Sequence, residues 1–150
     1  MRLAIKEARK NILRAEGSPF GACIVRKDSV LAVARNSVLK NDATGHAEMN
    51  AIRKACAKLG SFDLSDCMIF STTEPCPMCF GAIHWARIKT IVFGVGISNV
   101  KKRGFNELCI SNKKLKSLGR LKVKIYPSFL RKECLDLLRE WDRAPRKKVY

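Results

Sequence analysis

The chain has 150 residues, 47% of them hydrophobic and 29% charged, with 30 Lys and Arg against 13 Asp and Glu, for a formal net charge of +17. That apolar content excludes a disordered chain, no run reaches the ~18 apolar residues of a membrane span, and the length suits one domain, residues 1–150, with a core of its own. Seven cysteines without a disulfide-like spacing, and an N-terminus lacking a signal-peptide apolar block, lead us to expect a cytoplasmic protein in which clustered Cys and His serve metal binding or catalysis.

Residues 3–15 place Leu3, Ile5, Ala8, Ile12, Leu13 and Ala15 at a helical period with basic residues opposite, and Glu16-Gly17-Ser18-Pro19 ends that helix. Phe20-Gly21 leads into a strand at Ala22–Val25, Lys27-Asp28-Ser29 turns it, and Val30–Ala34 returns as the second arm of a hairpin. Asn36 stands at the end of that arm, before a loop over residues 37–45. His46 to Leu59 reads as a helix ended by Gly60, and Cys67–Thr72 as an apolar strand buried on both faces. Cys76–Arg87 reads as a third helix and Thr90–Val95 as a fourth strand. The alternation of strand and helix predicts parallel neighbours with right-handed crossovers.

Residues 97–120 carry weaker signals: a turn around Gly104–Leu108 and a short helix at Asn112–Leu118. Leu121–Tyr126 alternates apolar and basic residues, as an edge strand does. Phe129–Trp141 is amphipathic, and residues 143–150 form a basic tail. The charge is uneven, net +6 over residues 1–100 and net +11 over residues 101–150. Such a surplus suits nucleic-acid contact or, equally, a solvated basic surface.

The chemistry gathers at Glu74-Pro75-Cys76-Pro77-Met78-Cys79. The two cysteines lie three residues apart on the first turn of a helix, so both aim at one point, where unpaired N–H groups and the helix dipole favour thiolate. The other five cysteines sit in apolar surroundings and read as small buried hydrophobes. His46 opens the preceding helix, with Glu48 two residues on. One imidazole and two thiolates fill three corners of a tetrahedral zinc site and leave the fourth for water, the catalytic arrangement. Glu48 beside it is a carboxylate fit to move protons between water, ring nitrogen and leaving amine. A redox Cys-x-x-Cys pair would leave His46 and Glu48 idle. A structural zinc site needs a fourth ligand, and His84 lies about 140° round the helix from Cys79. A basic zinc module that binds nucleic acid without chemistry would have no use for Glu48.

His46-Ala47-Glu48 with Pro75-Cys76-Pro77-Met78-Cys79 resembles the cytidine-deaminase-like superfamily, the zinc-dependent CMP/dCMP-type deaminases, most strongly over residues 18–95. The resemblance implies a three-layer α/β/α sandwich around a five-stranded mixed sheet, one zinc ion per subunit on His46, Cys76 and Cys79, and Glu48 as proton shuttle. Pro19-Phe20-Gly21-Ala22, Gly81-Ala82-Ile83-His84-Trp85-Ala86-Arg87 and the terminal Tyr150 are similar to guanine deaminases. Arg87–Gly94 and Leu130–Leu138 look closer to tRNA wobble-adenosine deaminases. The expected reaction is hydrolysis of a purine base, guanine to xanthine plus ammonia, with tRNA adenosine deamination as the alternative. Expected substrate contacts are Asn36, Phe20, Ala47 and Trp85. To these the resemblance adds Glu107, where relatives carry an aspartate, and Tyr150. It further implies a homodimer, with the C-terminal segment exchanged between subunits.

Overall fold

A computed structural model of the chain describes residues 1–147 and 149. The expected Tyr150 contact therefore lies outside the described residues. The order of elements is α1 (Arg2–Arg14), β1 (Gly21–Arg26), β2 (Ser29–Arg35), a single 3-10 turn (Val38–Lys40), α2 (Ala47–Leu59), β3 (Cys67–Thr73), α3 (Pro77–Trp85), β4 (Thr90–Val95), α4 (Ile97–Lys101), α5 (Asn112–Leu118), β5 (Lys124–Tyr126) and α6 (Arg131–Asp142). The strands form one mixed sheet in the order β2-β1-β3-β4-β5. β1 runs antiparallel to β2 and β3, while β3, β4 and β5 are parallel.

The helices cover both faces, α1 and α6 on one and α2 and α3 on the other, giving the three-layer sandwich. Burial explains the strand compositions. β4 lies inside the sheet and is almost wholly buried; β3, expected to be buried on both faces, leaves Met68 exposed and Phe70 half-buried on one face of its first half; the edge strand β5 exposes Lys124 and Tyr126 and tucks in only Ile125. α1 and α6 run side by side, joined by Arg2 to Glu133 and Arg9 to Glu140, pairs that repeat after seven residues on both helices. Gly21 is needed for this layer, because a Cβ there would collide with the backbone of Ala4.

Several boundaries differ from the periodicity for local reasons. α6 starts at Arg131 rather than Phe129, since Ser128 and Leu130 take left-handed backbone angles of φ 63° and 50°. β5 is limited to the three residues that pair with β4. α4 was not legible in the sequence; with five residues it is too short for periodicity to register. Among the cysteines outside the motif, Cys23, Cys67 and Cys134 are buried, but Cys56 is half-buried and Cys109 is exposed. The sequence expectation fails at Cys109 because residues 106–110 run along the surface instead of packing under it.

The C-terminal segment rests on its own chain. Trp141 is buried beneath Phe105, and Lys147 folds back to the Asp142 carbonyl and the Trp141 ring. No helix among the described residues is long and apolar enough to cross a membrane.

Candidate metal centre and base pocket

His46 and Cys76 occupy the same position in two different helices: each is the N-cap, in extended backbone, and neither uses its side chain to cap. The imidazole and thiol are therefore free to turn inward. Cys79 lies three residues into α3, and Pro77 suits the first helical position because a proline lacks the N–H that would be left unpaired there. β2 and β3, each antiparallel to β1 between them, end at the same edge of the sheet and so bring the two N-termini side by side. The His46 Nδ1 atom stands 3.6 Å from both the Cys76 and the Cys79 Sγ, and the three ligand atoms lie within 4.8 Å of one another. Metal–nitrogen bonds of about 2.0–2.1 Å and metal–sulfur bonds of about 2.3 Å at a tetrahedral angle call for N···S edges of about 3.6 Å. These residues therefore fit zinc, with three protein ligands and one open direction.

The thiols behave as a pair. The Cys76 thiol is lowered to about 4, chiefly because Cys79 donates to it; burial opposes this, and His46 adds to it. The Cys79 proton is held more tightly than usual by the bond to Cys76, by burial and by the Glu48 carboxylate.

Glu48 sits on the first turn of α2 and is 4% exposed. The Ser71 hydroxyl on β3 donates to its Oε1 at 2.8 Å, and Oε2 faces Cys79 Sγ at 3.6 Å. Burial raises its pKa above the usual carboxylate value, so that near neutrality it is readier to accept a proton than an exposed glutamate, while Ser71 and His46 pull the other way.

Phe20, Asn36, His46, Ala47, Glu48, Thr73, Glu74, Cys76 and Glu107 line one pocket. The structure thus brings together eight of the ten residues singled out in the sequence, counting Cys79, which touches Glu48 from beneath. The free space is about 10 Å³, room for one water. Asn36 is held on both sides: its N–H donates to the Phe20 carbonyl, its own carbonyl accepts from Asn11 Nδ2, and its Oδ1 accepts from the Val38 N–H. The Phe20 ring meets Phe105 edge-on at 5.0 Å, so it is both core and wall. The Glu107 carboxyl is pushed up to about 7, first by burial and then by the negative Cys76 nearby, with His46 opposing.

Trp85 is not brought to this pocket. It ends α3 on the outside, 78% exposed, with the His84 ring edge-on at 5.6 Å. The helix turns it away because Phe80 and Ile83 occupy the inward face. His84 is likewise exposed and belongs to a larger groove of about 660 Å³ between α3, β4 and residues 121–123, whose floor is mostly apolar. That groove contains neither metal ligands nor Glu48.

Sequence reasoning missed Glu74 as an organiser. Its carboxylate accepts from the N–H of Ile97 at 3.1 Å and of Asn112 at 2.8 Å, while Asn112 Nδ2 donates to the Pro75 carbonyl at 2.6 Å. One side chain thereby holds both ends of residues 97–112, the segment that carries Phe105 and Glu107 over the pocket. Its place in the Glu-Pro-Cys stretch was the available signal. Ser71 and Asn112 had none.

Comparison with known proteins agrees with this geometry. Residues 1–95 match the family described as the cytidine and deoxycytidylate deaminase zinc-binding region. The chain is 36% identical to a guanine deaminase of Bacillus subtilis over 100% of its own length and 96% of the relative's. It is also 36% identical to a tRNA-specific adenosine deaminase of Buchnera aphidicola, over 80% of this chain and 77% of that one. A solved guanine deaminase from Nitrosomonas europaea superposes with a TM-score of 0.82 at 31% identity, covering 91% of this chain and 79% of the other.

Proposed function

Since the chain belongs to the cytidine and deoxycytidylate deaminase family, we propose that it is a hydrolytic deaminase of a purine base, converting guanine and water to xanthine and ammonia. The observation that carries the reading is the joining, in one pocket, of a three-ligand zinc site, a buried Glu48 and two groups suited to a base edge, Asn36 and Glu107. Zinc, when bound, supplies the Lewis acidity that makes water nucleophilic near neutral pH. Glu48 takes the proton of the attacking water and passes it to the ring nitrogen, then to the departing amine, with Ser71 fixing the carboxylate's orientation. Asn36 offers an amide to the ring, Phe20 a face and Ala47 a small flat wall. Glu107 offers a carboxyl that accepts from ring N–H groups of a free base.

Guanine is favoured over the tRNA alternative by near full-length similarity to a guanine deaminase and by Phe20 and Glu107 in the pocket. We place the protein in the cytoplasm as a homodimer. The dimer is supported by the outer side of α3, which is apolar yet leaves Met78 and Trp85 exposed. The test is to offer guanine, cytosine, adenine, their nucleosides and an anticodon stem-loop to the zinc-loaded protein and measure ammonia and inosine. Turnover of guanine is expected; inosine formed on the stem-loop alone would assign the chain to the other reaction.

A further inference from the structure

Asn50, half-buried near the start of α2, meets three separate stretches of chain with one amide. Its Nδ2 donates to the Ser37 hydroxyl at 2.9 Å, to the Arg35 carbonyl at 3.0 Å and to the Gly45 carbonyl at 3.3 Å, so two hydrogens serve three acceptors. Its backbone N–H donates to the His46 carbonyl at 2.9 Å. Arg35 and Ser37 flank Asn36, and Gly45 precedes His46. One residue therefore grips the chain on both sides of Asn36 and on both sides of the His46 side chain.

The loop between those two residues is closed at the same point. The Ser37 N–H donates to the Gly45 carbonyl at 2.7 Å, and the Ser37 hydroxyl reaches the same oxygen at 3.3 Å. A Cβ on Gly45 would stand 2.8 Å from the Ser37 Oγ and 3.0 Å from the Asp42 carbonyl, so the loop ends leave no room for a side chain. Asn50 also heads a row. Asn50, Lys54 and Lys58 donate in turn to the carbonyls of Arg35, Val33 and Val30 along the edge strand β2, at 3.0, 3.2 and 3.4 Å. Four residues of helix advance about 6 Å and two residues of strand about 7 Å, which keeps the row in step. The register shift between β1 and β2 at Ile24 and Val25 takes up the extra residue between Val33 and Val30. The contacts tighten towards the site.

Asn36 offers its amide to the base and His46 is a metal ligand, so the distance between them sets how the base lies against the metal centre. A misplacement of about 1 Å costs about 10²-fold in rate. Asn50 itself does not line the pocket and acts through these two residues. We propose that Asn50 is a positioning residue of the deamination, fixing Asn36 against His46 with Ser37 and Gly45 as its anchors. This rests on the deaminase reading of the pocket.

The test is Asn50→Ala in the zinc-loaded full chain. The kcat and KM for guanine are normalised to bound zinc, and hydrogen exchange of residues 36–46 is followed by mass spectrometry. The kcat should fall about ten- to a hundred-fold with KM within about three-fold, because Asn36 keeps its bonds with Asn11 and Val38 and still receives the base. Exchange over residues 36–46 should quicken. Ser37→Ala should show part of the kcat loss, and it carries the same test if Asn50→Ala does not fold. The double variant should lose no more than the larger single loss, since the two side chains share one network. Lys58→Met, which cuts the row at its far end, should match wild type in kcat, KM and exchange. An Asn50 that only supports the fold would lower the melting temperature and the zinc-loaded fraction but keep kcat per zinc. That result, equal losses in Lys58→Met, or a raised KM at unchanged kcat would overturn the assignment. If the wild type leaves guanine untouched, the deaminase reading fails on its own control. Exchange then decides the tie alone: quickened in Asn50→Ala upholds it, unaltered overturns it.

Discussion

His46, Glu48, Cys76 and Cys79 sit on the first turns of two helices, whereas Phe20, Asn36 and Glu107 hang on the connections between elements. The metal half is therefore set by helix geometry and by the pairing of β2 and β3 on either side of β1. The base half depends on hydrogen bonds that cross long stretches of chain: Asn11 to the Asn36 carbonyl, and Glu74 to the N–H groups of Ile97 and Asn112. A site divided in this way keeps its chemistry constant while its choice of base follows from loop residues.

Substitutions that separate the two halves test that division. His46→Ala or Cys76→Ala should have the largest effect, loss of both zinc and turnover, read by metal analysis and ammonia release. Chelation of the wild type should mimic it, with zinc addition restoring activity. Glu48→Ala comes next: kcat should drop by about 10²–10⁴ while one zinc per chain remains bound, and retained turnover would refute the proton-shuttle role.

Glu74→Ala tests the base half. It strips two backbone N–H groups of a charged acceptor, each bond worth about 1.5–3 kcal/mol, so KM should rise roughly ten- to a hundred-fold with zinc content unchanged, and Glu74→Gln should recover part of the loss. If Glu74→Ala instead released the metal, the two halves would not be separable. Glu107→Gln should act more mildly, about ten-fold on KM for guanine, with a smaller change for bases whose ring N–H donors differ. Trp85→Ala should leave KM within about two-fold, as at an open surface, and shift the sedimentation of the protein towards monomer.

The metal half was legible because its signals are local. His-x-Glu and Cys-x-x-Cys at helix starts declare both residue type and direction, and Gly60, Pro75 and Pro77 mark where the helices end and begin. Asn36 was legible too, as a polar residue ending a strand of the sheet that carries the site. Trp85 shows the limit of such reading. Its position beside the motif gave it the company of ligands, but six residues of helix turn it about 120° away from Cys79, and inward places were taken by Phe80 and Ile83. Glu74 shows the reverse: a residue inside the motif whose partners, Ile97 and Asn112, lie 23 and 38 positions away and carry no periodic signal.

By itself, the sequence determined the order of the strands and of the longer helices and brought His46, Glu48, Cys76 and Cys79 forward as one candidate site, since each rests on spacings that the 3.6-residue and two-residue periods convert directly into direction. Only the tertiary structure decided which wall faces the metal, that Glu74 holds residues 97–112 over the pocket, and that Trp85 is turned away from it. Those facts depend on which distant segments meet, and no local period encodes the meeting of segments across a sheet.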